Sequence, residues 1–386
     1  MRRVWLMAAG HFVIDSSPAL LFALMPLFIA RLHMSYALAG LLTTSMLMMS
    51  SVGQPAFGYL NDRFPLLPLS AAGLVVSGLA MGLTGLAASY PAMLGLVLLS
   101  GLGSACFHPQ AVSQAGRASR SASGFSIAIF FTGGSAGTGA MSLVIVPLVS
   151  LLGMPATLFV IVPAMAAAGL FLRARRRWLV DAGSSAAVAR TSGSLRLLAW
   201  PLGLLLAISI LRSAVLSGYL TFLPSLVTGS GGSLGLAALA LAVFLFSGSA
   251  GALAGGIAAR RAGSEVVTAA SLALALAALL PVPWLGGGLQ VGWMGLAGVL
   301  LFASEAQVTA SAQRLLPALP GVASSLMMGV GLGLGNLGAV ATGAGADRVG
   351  LVPALLALTL LLLGAVAAAL GFIPVQRRAV ARSEAA

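Results

Sequence analysis

Only seven acidic residues occur in a chain of 386, so each one carries information. Asp62 and Asp347 fall at the ends of apolar runs, Asp181 in a polar stretch, Glu384 near the C-terminus, and Glu265 where an apolar run begins. Asp15 and Glu305 remain, both deep inside apolar runs. A charge at mid-bilayer costs about 2.5–3.5 kcal/mol on insertion scales, so such groups usually face a cavity or a partner. A carboxylate there that can take up and release a proton is what proton coupling needs. His11 precedes Asp15 by four residues, which in a helix leaves them only about 40° apart on one face. The pair reads as a proton carrier with His11 tuning Asp15; the plainer alternative is that His11 merely seals or orients the helix end.

Arg212 falls close to the position in the second half of the chain that corresponds to Asp15. It reads as a counter-charge for an anionic substrate, or for Asp15 or Glu305 in a salt bridge that forms and breaks; a fixed structural ion pair is the alternative. Glu305 belongs to the polar stripe Ser304, Gln307 and Ser311, which could equally serve helix–helix hydrogen bonding. His108 and Gln110 flank Pro109, whose missing N–H kinks a helix and frees a carbonyl. A histidine titrates near neutrality, so His108 is a candidate for binding substrate or proton. Gln110, Gln307, Gln54, beside Pro55, and Asn336, among glycines, are further candidate substrate contacts, with architecture as the competing role. Gly133, Gly134 and Gly137, with Gly124 and Gly139, allow close helix contact and with it gating. The fifteen methionines are scattered and read as gap-filling or lipid-facing rather than as metal ligands.

These residues need membrane-spanning helices to position them. The chain is 59% hydrophobic and 7% charged, whereas a soluble domain carries about 25% charged residues. Lipid must therefore be its solvent. The net charge of +13 comes from arginines set in short gaps between apolar runs, a topology signal that excludes a phosphate-tracking surface for nucleic acid. Cys106 is the only cysteine, so neither an intrachain disulfide nor a cysteine metal cluster is available. The N-terminal apolar run is too long for a signal-peptide core and is interrupted by His11 and Asp15, so it reads as a retained first helix.

Roughly 20 apolar residues span the hydrocarbon layer. Cutting at Arg, Pro/Gly and charge clusters gives twelve segments, approximately 5–30, 36–60, 66–88, 91–116, 122–148, 150–173, 198–227, 234–258, 265–284, 289–316, 320–344 and 350–373. Short tight loops are expected between them, such as Pro147 to Leu152. With the N-terminus inside, 17 arginines lie in cytoplasmic segments, against Arg31 and Arg348 outside and Arg212 within the membrane. The positive-inside rule then puts both termini in the cytoplasm. Residues 174–197 are the one long polar stretch and read as a cytoplasmic linker between two six-helix bundles, 1–173 and 198–386. The halves echo one another: Gly58 to Arg63 matches Gly255 to Arg261, Phe107 to Gln114 matches Phe302 to Thr309, and Gly124 to Gly139 matches Ser324 to Gly338. The expected fold class is all-α, twelve transmembrane helices in two pseudo-symmetric bundles. That duplication is the layout of alternating-access transporters, with the binding site between the halves at mid-membrane.

With GYLNDRF (58–64) between its second and third helices, this plan resembles the major facilitator superfamily, whose loop motif has the form G-x-x-x-D-R. Several stretches look closer still to the fosmidomycin-resistance-type branch of bacterial efflux proteins: His11 and Asp15 as H-x-x-x-D, QPxxGYxxDRFP at 54–65, GSACFHP at 103–109, SIAIFFTGGSAG at 126–137 and RSAVLSGYLTFLP at 212–224. The resemblance implies a proton-coupled exporter of drugs or metabolites in a bacterial cytoplasmic membrane. It makes Gly58, Asp62 and Arg63 a conformational latch between helices, and likens the glycine run of the fifth helix to an exporter-associated motif. The branch typically carries an acid after FHP; here Gln110 stands instead, and that carboxylate has no counterpart.

A proton-coupled antiporter exporting a small drug-like or anionic compound is thus the leading expectation. A facilitator or importer of a small metabolite or lipid-like molecule is the alternative, since direction is not written in helix content. A membrane enzyme is not expected: there is no H-E-x-x-H, no G-x-S-x-G in a plausible context, and only His11, His33 and His108 as histidines. A non-transporting sensor is a remote fourth reading. The expected partners are a small-molecule substrate, the lipid bilayer and protons, with a monomer sufficient for transport. No cofactor or metal is expected beyond the proton gradient.

Overall fold

Where lipid replaces water, a backbone can satisfy its polar groups only internally, and apolar runs of Leu, Ala and Gly therefore coil into helices. The computed structural model describes residues 2–64, 68–117, 123–178, 195–316 and 320–384. Among them are 12 helices long and apolar enough to cross a membrane. The first half comprises α1 (Arg2–Ala23, resumed as Met25–Leu32), α2 (Tyr36–Arg63), α3 (Leu69–Leu83), α4 (Tyr90–Arg117), α5 (Ser123–Leu152) and α6 (Ile161–Trp178). The second half comprises α7 (Leu195–Gly229), α8 (Leu234–Ala262), α9 (Ser264–Leu279), α10 (Gly287–Phe302 and Glu305–Leu315), α11 (Pro320–Val349 in several pieces) and α12 (Leu351–Glu384). The fold is all-α, two pseudo-symmetric six-helix bundles side by side.

Several boundaries differ from the sequence expectation, each for a local reason. Pro147 does not start a loop: α5 runs through it to Leu152, and the turn falls on Gly153, whose φ of 74° suits a residue without a Cβ. Helix α1 pauses at Leu24, because Pro26 follows in the first turn of the next piece. Helix α10 breaks at Ala303 and Ser304, so that Glu305 opens a new first turn. Helix α11 contains a π-helical turn, Ser325–Gly331, inside what the sequence shows only as a glycine-rich run. Of the expected linker, 174–178 continue α6 and 195–197 begin α7; residues 179–194 lie outside the described residues.

The halves meet mainly where α2 packs on α11 and α5 packs on α8. Apolar side chains gain nothing by leaving lipid, so close packing between helices must supply the attraction. Gly40 lies against the Ala339 backbone, and Gly343 against that of Tyr36, so that α2 and α11 approach backbone to backbone. At the same end, the Tyr36 and Ala37 amides donate to the Asp347 carboxylate at 2.7 and 2.9 Å. These amides open α2 and have no partner within their own helix; Asp347 of the other half supplies it.

Candidate functional site

His11 and Asp15 lie on one face of α1, and their spacing brings His11 Nε2 to 3.0 Å from Asp15 Oδ2. At 1.5 Å per residue, Asp15 stands about 20 Å along the helix from Arg2, inside a hydrocarbon layer of about 30 Å. Helix α4 adds His108, whose Nε2 is 3.3 Å from Asp15 Oδ1 and 3.2 Å from His11 Nε2. Two imidazoles and a carboxylate from sequence-distant helices thus share one point. Their side chains are 4% (His11), 17% (His108) and 28% (Asp15) exposed, so the carboxylate is the most accessible of the three.

Each ring is held from behind. His11 Nδ1 is 2.7 Å from the Phe130 carbonyl oxygen, and the ring stacks on Phe130 at 4.0 Å between centroids. His108 Nδ1 is 2.8 Å from the Ser104 carbonyl oxygen, one turn earlier in its own helix. A carbonyl oxygen can only accept, so both Nδ1 atoms carry the hydrogen and a neutral ring turns a bare Nε2 towards Asp15. Helix α5 closes the third side through glycine. A Cβ at Gly134 would stand 2.5 Å from His11 Nε2 and 2.6 Å from Asp15 Oδ2, while Gly133 and Gly137 lie against the backbones of Ala8 and Phe12.

A second charged pair sits in the other half. Arg212 of α7 is 2% exposed, with Nη2 3.6 Å from Glu305 Oε1. Its Nη1 has no hydrogen-bond partner among the described residues. Glu305, at the restart of α10, is 36% exposed, so the carboxylate opens outward while the guanidinium is buried. The structure thus sets Arg212 against Glu305, whereas Asp15 has the two histidines. Further along the stripe of α10, Ser311 shares a hydrogen bond with Ser264 of α9 at 3.2 Å, and Arg314 donates to both hydroxyls. Gln307 is buried on the same helix.

The remaining sequence candidates are dispersed. Gln110 Oε1 accepts from both the amide and the hydroxyl of Ser70, each at 2.7 Å, and so ties α4 to the start of α3. Pro109 stands inside an unbroken α4, with Gly58 of α2 close by, where an added Cβ would be 3.7 Å from the proline. Gln54 is half-buried on α2. Asn336 lies between the last two pieces of α11, and its carbonyl accepts from Thr44 of α2 at 2.8 Å. The side chains of Asp62 and Arg63, hence the expected latch, lie outside the described residues. Asp347 is the residue that sequence reasoning passed over. Its signal was present: Asp347-Arg348 repeats, at the end of α11, the acid–arginine order of Asp62-Arg63.

Twelve helices long enough to span a membrane, in two bundles that each hold a charged cluster, fit the plan of a membrane transporter. The family model described as Major Facilitator Superfamily matches residues 7–327, and the chain belongs to that superfamily. Among its relatives is an uncharacterized MFS-type transporter, YfnC, of Bacillus subtilis (strain 168). It is 29% identical over 367 residues, covering 91% of this chain and 88% of the relative. Another is the fosmidomycin resistance protein of Escherichia coli (strain K12), 28% identical over 354 residues, covering 88% of this chain and 85% of the relative. Similar solved structures include a bacterial homolog of the human lysosomal transporter Spinster, inward-facing and occupied, with a TM-score of 0.78 at 15% identity and 96% of each chain covered. The nucleoside transporter NupG is also similar, with a TM-score of 0.73 at 14% identity, 97% of this chain and 99% of that one. At such identities these two show the shared fold. The protein is a multi-pass membrane transporter of some small substrate.

Proposed function

We propose that the protein is a proton-coupled antiporter that exports a small drug-like or anionic compound by alternating access. The observation that carries this reading is the meeting of Asp15 with His11 and His108 between α1 and α4. A carboxylate with two imidazoles at hydrogen-bond distance can hold a proton and pass it on with small movements. It stands within the membrane, against a glycine face of α5 that allows helices to slide. The proton enters from one side, resides on this cluster, and leaves on the other as substrate moves the opposite way.

Arg212 supplies the substrate side of the exchange. A buried guanidinium with one nitrogen unpartnered among the described residues and a 3.6 Å ion pair has donor capacity to spare. An anionic group that enters takes Nη1 and competes with Glu305 for the rest. The name of the fosmidomycin-resistance relative supports export as the direction, and fosmidomycin is the first compound to test.

In this reading both termini are cytoplasmic, in a bacterial cytoplasmic membrane, and one chain suffices for transport. The arginine distribution then makes the Tyr36–Asp347 end the outer one, so the state described is closed to the outside. Expression in an efflux-deficient bacterial host tests the function. The expected result is a raised inhibitory concentration for fosmidomycin or another small anionic compound, lost in Arg212→Met. Accumulation of the compound in expressing cells would instead establish the importer alternative.

A further inference from the structure

The same cluster has a geometry that a proton alone does not use up. We infer that His11, Asp15 and His108 form a binding site for a divalent transition-metal ion of the zinc class, with two imidazole nitrogens and a carboxylate as ligands. The three groups offer ligand atoms all within 4.8 Å of one another. Their edges are 3.0 Å (His11 Nε2 to Asp15 Oδ2), 3.2 Å (His11 Nε2 to His108 Nε2) and 3.3 Å (His108 Nε2 to Asp15 Oδ1). Nitrogen and oxygen donors at zinc distances, about 2.0–2.2 Å from a tetrahedral centre, stand about 3.3–3.5 Å apart. The triangle needs only a few tenths of an ångström of expansion to hold such an ion.

The ring orientations favour the same conclusion. Metal-binding histidines characteristically donate their other N–H to a carbonyl or carboxylate, which fixes the tautomer and aims the lone pair. Here both do so, His11 to the Phe130 carbonyl and His108 to the Ser104 carbonyl. With both Nδ1 atoms protonated, two Nε2 lone pairs and an anionic carboxylate converge. One proton on one Nε2 satisfies a single edge of that triangle, whereas a dication satisfies all three donors at once. Imidazole and carboxylate are a donor set that suits zinc, cobalt and nickel, and soft thiolate ligands are not involved. Two imidazoles and one carboxylate with a fourth position left to solvent is the arrangement of an open zinc site. The 28% exposure of the Asp15 side chain gives the ion a way in, and Gly134 leaves the adjoining wall without a side chain.

This site does not depend on proton coupling, and its test needs neither substrate nor a gradient. Full-length protein purified in detergent and stripped of metal is titrated with Co2+ and followed by visible absorption. The expected result is one Co2+ per chain with the strong bands of a four- or five-coordinate ion, displaced by Zn2+. Asp15→Asn and His108→Gln should each weaken binding by about 10-fold or more, while His33→Ala, remote from the cluster, leaves it unchanged. Elution profile and thermal melting confirm that each variant is folded, and Asp15→Asn, nearly identical in shape, serves if His108→Gln is not. Absence of a saturable spectrum in the unmodified protein would overturn the site. So would a spectrum that survives in a folded Asp15→Asn, or one abolished by His33→Ala.

Discussion

Replacing Asp347 by Ala removes the one carboxylate through which α11 of the second half holds the start of α2 in the first. Two amide donors, at 2.7 and 2.9 Å, and the Ser35 hydroxyl lose their acceptor. Loss of an acceptor at a helix N-terminus costs about 0.5–2 kcal/mol, and Ser35, which accepts from Leu38 N at 3.3 Å, remains as the ordinary cap. The contact is exposed, so water replaces part of what is lost, and about 1 kcal/mol is a reasonable net value. The cost falls only on the conformation in which α2 and α11 touch. It therefore shifts the balance towards the state open at this end by about fivefold, given about 1.4 kcal/mol per factor of ten. Cys106 is the only cysteine and is buried, which makes thiol labelling a clean assay. With Cys106→Ala as background, Thr44→Cys places a reporter on α2 where it faces Asn336 of α11 and is 4% exposed. Adding Asp347→Ala should raise its labelling rate by a membrane-impermeant maleimide about fivefold. An unchanged rate in a folded variant would show that the Asp347 bonds do not hold this end closed.

Gly134→Ala should abolish transport and lower the melting temperature, because overpacking of a tight site costs about 1–3 kcal/mol and the new methyl would stand 2.5 Å from His11 Nε2; a thermal melt and a flux assay check it. Glu305→Gln should destabilise the protein by leaving the Arg212 guanidinium buried without an anion, although the 36% exposure of Glu305 reduces the loss. Adding Arg212→Met to Glu305→Gln should restore stability without restoring transport, as read by melting and flux on the same preparations. Gln110→Ala should cost about 1 kcal/mol through the lost cap on Ser70, seen as a lower melting temperature with an unchanged KM for substrate.

Class and site were legible in the sequence to different depths. Twelve apolar runs and the placement of arginines were enough for a helical membrane protein, since lipid leaves the backbone few choices. The His11–Asp15 pair was legible because four residues apart on a helix means one face. That His108 completes it was not, since this depends on how α4 rotates and slides against α1, which no local pattern encodes. The same holds for Arg212, whose sequence-level partners included both Asp15 and Glu305 and whose neighbour proved to be Glu305. Gln110 looked like a cavity residue by its place after Pro109, yet its carbonyl serves Ser70. The break at Leu24 had its signal in Pro26, whereas nothing local marks the break at Ser304, and the π turn after Ser324 was hidden because a glycine-rich run tolerates several helical geometries at nearly equal cost.

The central claim is that a proton carried by Asp15 drives substrate movement, and flux in proteoliposomes tests it most directly. Purified protein is reconstituted with an exported compound identified in the resistance screen, and a pH gradient is imposed across the vesicle wall. The account expects substrate to move against its own concentration only when protons run the opposite way. It also expects Asp15→Asn to lose that uphill movement while remaining folded. Movement indifferent both to the gradient and to Asp15→Asn would contradict it.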